Sequence, residues 1–326
     1  MKKFRFLTLA LAVLLMLSAC NVVAEAADYK TGYAVLTTVG SSTSATAEAD
    51  GKAAINVVFV GVLLDEAGKI AECKIDYIPA AITFTAEGKI SSDRTAPIQS
   101  KQELGFDYGM KKASGIGKEW FEQADALAAY VVGKTGQEVL QIPLTQGNTA
   151  ADQDLIASVT IKINPYIEGI AKACENAKEM GAKAGDGLSI GSVTSAAASK
   201  DAAADAAGEA AISSTFAVVT KDGNGVITSC VLDALNASVK FDAKGQITSD
   251  LTQPIASKNV LGDAYGMRGS SKLGLEWNEQ AANFAKLTVG KNRDQILGMD
   301  LAGADVVSSA TIHTNEFVAA IAKALG

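Results

Sequence analysis

Residues 59–134 can be laid over residues 216–291 of the same chain at a constant offset of 157, without a gap. Gly68 falls on Gly225, Cys73 on Cys230, Asp76 on Asp233, Phe84 on Phe241 and Lys101 on Lys258. The densest agreement sets Tyr108-Gly109-Met110 on Tyr265-Gly266-Met267, then Glu119-Trp120 on Glu276-Trp277 and Gln123 on Gln280. Further on, about six residues are missing from the second copy; the offset becomes 151, and Asp154, Thr160 and Ile161 meet Asp305, Thr311 and Ile312. A period near 150 residues is far longer than a solenoid unit of roughly 20–50 residues and is about one domain long. The sequence therefore predicts two tandem homologous domains.

Ahead of them, Lys2, Lys3 and Arg5 form a basic start, and Phe6 to Ser18 is an apolar run shorter than a spanning helix requires. The run ends in Leu17-Ser18-Ala19-Cys20, which resembles a bacterial lipobox. That resemblance implies that residues 1–19 are a lipoprotein signal peptide and that Cys20 becomes a lipidated N-terminus. The expected protein is anchored to the cell membrane through lipid, facing the extracytosolic side, because several acyl chains on one residue hold where one would not.

Loss of residues 1–19 removes three positive charges and leaves 26 Lys plus Arg against 36 Asp plus Glu. So acidic a chain repels phosphate backbones, and no basic stripe is present, so nucleic acid is not an expected partner. Of the cysteines beyond Cys20, Cys73 and Cys230 occupy equivalent positions in apolar stretches, where free Cys behaves as a small hydrophobe. Cys174 has no counterpart. An odd, sparse set is no disulfide framework, although a bridge between Cys73 and Cys230 is the alternative.

Hydrophobic periodicity fills in the elements. Gly32 to Val39 and Ile55 to Leu64 read as strands, with Asp65 to Gly68 as the turn into a hairpin partner from Lys69 to Tyr77. Phe84, Gly88 and Ile90 suggest a further short hairpin. Trp120, Ala124, Leu127, Ala128 and Val131 recur at helical spacing, so Glu119 to Val132 reads as a helix stopped by Gly133. A strand is expected over Ile156 to Ile163, and a last helix from Pro165 to about Lys178. The expected class is α+β, each domain an antiparallel sheet with packed helices. The boundaries are a tether at 20–30, a first domain at 31–178, a linker at 179–187 that looks mobile near its glycines, and a second domain at 188–326.

Counting residues removes most familiar chemistry. His313 is the single histidine, no Cys-x-x-Cys occurs, and neither a Walker loop nor a dinucleotide fingerprint follows a strand. What remains is Asp305-Val306-Val307-Ser308-Ser309-Ala310-Thr311, ahead of the C-terminal helix. This segment resembles the flavin-attachment motif of the FMN-binding domain family, whose pattern is Asp-x-x-Ser/Thr-Gly-Ala-Thr/Ser. In that family the final hydroxyl carries FMN through its phosphate, and the domains belong to extracytosolic electron-transfer proteins. The resemblance implies Thr311 as the acceptor, with Asp305, Ser308 and Ala310 in the other motif positions; Ser309 stands where the family has glycine. The first copy, Asp154 to Thr160, keeps the acid and the final Thr, but Ala157 lacks the hydroxyl and Val159 is bulkier than Ala, which makes Thr160 the weaker acceptor.

A second constellation surrounds both tryptophans. Trp120 with Met110, and Trp277 with Met267, have the chemistry to stack on or cover an isoalloxazine ring, and equally to anchor a core. Lys111, Lys112 and Arg268 are nearby cations for a phosphate. The expectation is a membrane-anchored, extracytosolic flavoprotein that carries electrons through covalently attached FMN. Its implied partners are a flavin transferase and a membrane or envelope redox protein. The alternative, from another class, is a non-redox surface lipoprotein whose degenerate FMN-binding-like domains bind a small ligand or an envelope protein.

Overall fold

A computed structural model describes residues 26–326, so the signal peptide and Cys20 lie outside the described residues. Among the described residues no helix is long and apolar enough to cross a membrane. The first repeat opens with β1 (Asp28–Thr38), β2 (Gly51–Leu64) and β3 (Ile70–Phe84). Helices α1 (Lys101–Leu104), α2 (Trp120–Tyr130), α3 (Gly136–Leu140), α4 (Gln153–Ile156) and α5 (Asn164–Glu175) follow. After β4 (Lys178–Lys183), the second repeat runs through β5 (Gly187–Ser195), β6 (Gly208–Lys221) and β7 (Ile227–Phe241). It ends in α6 (Lys258–Leu261), α7 (Trp277–Thr288), α8 (Arg293–Leu297), α9 (Ala304–Ser309) and α10 (Asn315–Leu325). The class is α+β, with one antiparallel sheet in the order β3-β2-β1-β4 and another in the order β5-β6-β7.

Strand β2 is apolar on both faces, which a sheet tolerates only when both faces are covered. Side chains alternate along a strand, so β2 sends Ile55, Val57, Phe59 and Leu63 one way and Val58, Val60 and Val62 the other. The second set meets α2 and α5 of its own repeat. The first set meets Ile212, Phe216 and Val218 of β6, so the sheets of the two repeats pack face to face in one shared core. Phe59 lies 4.9 Å from Phe216 between ring centroids, and Phe84 stacks on Phe241 at 4.1 Å and 3°. The layers run helices, sheet, sheet, helices.

Two hairpin turns lock the repeats reciprocally. Ala45 donates its N–H to the Gly245 carbonyl at 2.8 Å, and Ala202 donates to the Gly88 carbonyl at 2.7 Å. Both glycines have φ near +65°, at 67° and 64°. A Cβ at Gly88 would meet Ala202 at 2.8 Å, and one at Gly245 would meet Ala45 at 2.6 Å. A side chain there would force the repeats apart. Ion pairs Arg94–Asp201 and Lys323–Glu103 also cross the boundary.

Two expectations need correcting. The segment assigned to the end of the first domain and the mobile linker contains β4, which pairs with β1 through Thr31↔Lys178, Lys30↔Glu179 and Asp28↔Lys183. Most of its side chains are exposed, so backbone bonds and Lys183–Asp28 at 2.8 Å hold it, with Ala182 alone fully buried in the shared core. The strand expected over Ile156 to Ile163 is the end of α4 and an irregular turn. Asp152 caps α4 through the Asp154 N–H at 2.9 Å, and the Thr160 and Ile161 N–H groups go to the Gln123 side chain instead of a neighbouring strand. Cys73, Cys174 and Cys230 are free thiols; burial holds Cys174 up at about 11 and Cys230 at about 12.

Candidate functional site

The site is built on α7, whose N-terminus organises the preceding loop. Glu276 is 2% exposed, and its two carboxylate oxygens accept the N–H groups of Met267 and Arg268 at 3.0 and 2.7 Å. Its own N–H donates to Glu279, closing a capping box. One turn later Gln280, fully buried, gives its amide N–H groups to Ser271 Oγ and the Leu275 carbonyl at 3.1 and 3.2 Å. Its Oε1 is then left to accept from Thr311: the backbone N–H at 2.8 Å and the hydroxyl at 3.2 Å.

Thr311 follows α9 directly. Ala310 is buried and extended, and its N–H closes α9 on the Val306 carbonyl at 2.8 Å, so the chain turns out of the helix and leaves Thr311 exposed. With the hydroxyl proton aimed at Gln280, the oxygen lone pairs face outward. Thr311 borders a hollow of 460 Å³ with Met267, Ser271, Lys272, Leu301 and Val307. Across Met267 and Ile312, which line both, lies a second hollow of 370 Å³ walled by Lys258, Tyr265, Trp277, His313 and Glu316, with Ala234 among its floor residues. Each is within the roughly 300–1,000 Å³ of small-ligand pockets. The Lys258 Nζ sits 5.0 Å from the Trp277 ring and 5.1 Å from Tyr265, a cation over two aromatic faces.

Not every expected residue joins this group. Asp305 is exposed in the first turn of α9 and lines a different hollow, with Lys291, Gln295 and Asp300. Ser308 donates its hydroxyl back to the Asp305 carbonyl at 3.0 Å, and Ser309 is half-buried. Arg268 is committed to Asp263 and Glu279, at 2.8 and 2.9 Å, and Lys272 is the cation beside Thr311. Trp277 is 5% exposed and packs edge-on against Phe317 at 5.6 Å, so it serves the core while forming a wall. Gln280 was visible as an aligned residue; its grip on the threonine was not, because that contact closes only in three dimensions.

The first repeat reproduces the grip but puts a tyrosine ring where the second has Ala234. Gln123 Oε1 accepts the Thr160 N–H at 2.8 Å and the Thr160 hydroxyl at 3.2 Å, and Glu119 holds Met110 and Lys111 by their N–H groups at 2.8 Å each. Thr160 and Asp154 are both exposed. Yet Tyr77 stands where the second repeat has Ala234, and Tyr166 where it has Phe317. Tyr77 lies 6.3 Å from both Trp120 and Tyr166, and Trp120 donates its Nε1–H to the Tyr166 hydroxyl at 3.1 Å. Lys101 caps the cluster, 4.3 Å from the Tyr77 ring and 4.5 Å from Tyr108, and burial lowers its ammonium to about 8. Trp120 is a core residue here, and the half-buried Met110 packs against that core.

No family model matches the chain, and no solved structure matches it. A stretch of 96 residues is 32% identical to a chlorophenol reductase of Desulfitobacterium hafniense, covering 26% of this chain and 29% of that protein. The chain therefore spans under a third of that relative's length. Over that stretch it is similar to a redox enzyme.

Proposed function

We propose that this chain is a lipid-anchored, extracytosolic flavoprotein that carries electrons through FMN esterified to Thr311, with Thr160 unloaded. The observation that carries the reading is the exposed Thr311 hydroxyl, oriented by a buried Gln280, beside an aromatic hollow that Ala234 leaves open. In the first repeat the position of Ala234 is taken by Tyr77, whose ring lies 6.3 Å from that of Trp120. Similarity to a redox enzyme over part of the chain supports the redox element.

The residues fit the group. Lys272 would face the phosphate beside Thr311, and Met267, Trp277 and Tyr265 would receive the ring. When bound, FMN supplies the redox chemistry; the chain supplies attachment, orientation and exclusion of water. Attachment would form one bond, from Thr311 Oγ to the phosphorus of an activated flavin nucleotide, and would break that nucleotide's anhydride bond, the hydroxyl proton leaving with the displaced nucleotide. A flavin transferase would be the catalyst.

The reading is tested by exporting the protein natively in the presence of a flavin transferase and measuring its intact mass. A single FMN increment, lost in Thr311→Ala and kept in Thr160→Ala, is expected. A mass without the increment would leave the non-redox alternative, which Ser309 in the glycine position favours.

A further inference from the structure

The pseudo-two-fold relation between the repeats exposes one place where they differ in occupancy. Tyr33 of β1 reaches across the shared core to the second repeat, where its hydroxyl accepts the Asn259 Nδ2–H at 2.6 Å beside Asp233. Burial first, and then the Asp233 charge, push that phenol well above its ordinary range, so it is a neutral hydroxyl. Asn259 spends its other amide hydrogen on the Leu232 carbonyl at 2.8 Å. A phenol supplied by the chain thus fills this niche.

The equivalent niche on the first repeat has the same walls. Asp76 replaces Asp233 and Gln102 replaces Asn259; Gln102 Nε2 donates to the Ile75 carbonyl at 3.0 Å, just as Asn259 does to Leu232. The Asp76 and Asp233 carboxylates each accept one helix N–H, from Gln102 at 3.1 Å and from Asn259 at 3.0 Å. The residue that should insert, at the Tyr33 position of β5, is Ile190. It turns its Cγ2 toward Gly61 in the core and stops short of the niche. What remains is a hollow of 470 Å³ bounded by Asp76, Gln102, Asp125, Ile190, Gly191 and Lys323. The Gln102 hydrogen that corresponds to the one on Tyr33 is held by the exposed Asp125 at 3.0 Å; the matching position on the second repeat is Ala282.

We propose that this hollow is a binding site for a small phenol, whose hydroxyl takes the place of the Asp125 carboxylate on Gln102 and faces Asp76 as Tyr33 faces Asp233. The ring would lie over Ile190 and Gly191, where the tyrosine ring lies in the other half. The site is separate from Thr311 and does not depend on flavin.

The probe is p-cresol, the tyrosine side chain itself, titrated into the full-length protein and followed by backbone amide shifts. Saturable one-to-one shifts at Gln102, Gly191 and Lys323 are expected, with toluene binding at least about tenfold more weakly for want of the hydroxyl. Ile190→Tyr should abolish them by supplying the ring internally. Asp125→Ala, at an exposed helix position that tolerates alanine, should tighten p-cresol several-fold by removing the competing acceptor. Shifts absent or centred elsewhere, equal binding of toluene, binding that survives in folded Ile190→Tyr, or no gain in Asp125→Ala would each overturn the site.

Discussion

Gln280 Oε1 accepts both the N–H and the hydroxyl of Thr311, and the same pair of bonds joins Gln123 to Thr160. Both glutamines are fully buried, so truncation strands several polar groups at once. Losing such partners costs about 1–3 kcal/mol per stranded group. Gln280→Leu and Gln123→Leu should therefore each lower stability by about 2 kcal/mol in denaturant melts. Only Gln280→Leu should also reduce flavin on Thr311, because the acceptor hydroxyl loses its fixed direction. Equal flavin in the two variants would remove Gln280 from the site.

Ala234 and Tyr77 decide which repeat has room for a ring. Ala234→Tyr rebuilds in the second repeat the filling seen in the first, so covalent flavin should fall at least about tenfold, a change worth about 1.4 kcal/mol. The fold should persist, because the first repeat already accommodates that tyrosine beside the equivalent tryptophan. Flavin-to-protein absorbance ratio and intact mass measure the outcome.

Much of this architecture was legible in the sequence, for identifiable reasons. The hairpins showed through β-branched runs around Asp65 to Gly68, and α2 through its helical spacing of Trp120, Leu127 and Val131. The apolar run from Ile55 to Leu64 announced a buried strand, but could not say that one of its covers is the other repeat. Strand β4 was missed because an edge strand needs only backbone pairing, and Lys178 to Gly181 face outward. The irregular turn before Thr160 was read as a strand because Ile156, Val159 and Ile161 favour one; the N–H groups of Ile156 and Val159 close turns on Asp152 and Leu155 instead, and the buried Gln123 takes those of Thr160 and Ile161. Tyr77 against Ala234 was visible in the alignment, and its meaning depended on knowing that the position faces a hollow.

Asp76 and Asp233 give the stability a pH dependence of definite sign. Burial, the largest cause, raises both carboxyls from 3.8 to about 6, against hydrogen bonds from the Gln102 and Asn259 backbone N–H groups that lower them. Between these values the unfolded carboxyl has ionised while the folded one keeps its proton. The folded state then binds more protons, so stability falls as the pH rises from about 4 to about 6 and levels off above. Each two-unit shift corresponds to about 3 kcal/mol. Asp222 and Asp242, lowered by backbone N–H groups, work in the opposite direction, so the difference between wild type and variant is the quantity to measure. Asp76→Asn should gain on wild type across that window in denaturant melts at successive pH values. A parallel pair of curves would show that the buried carboxyl titrates normally.

The shared core predicts that the two repeats do not fold independently. Phe84 and Phe241 stack at 4.1 Å, both fully buried, within the surface that the two sheets share. Phe241→Ala should cost about 3–5 kcal/mol, the range for emptying an aromatic site in a packed core. Because its ring leans on Phe84, the loss should destabilise both repeats together, and thermal unfolding should remain a single transition shifted to lower temperature. Two transitions, with only the second repeat affected, would mean that the sheets contribute little to each other. The complementary measurement is on residues 26–183 alone, whose uncovered sheet should bind a hydrophobic dye or associate with a second copy, whereas the whole chain should do neither.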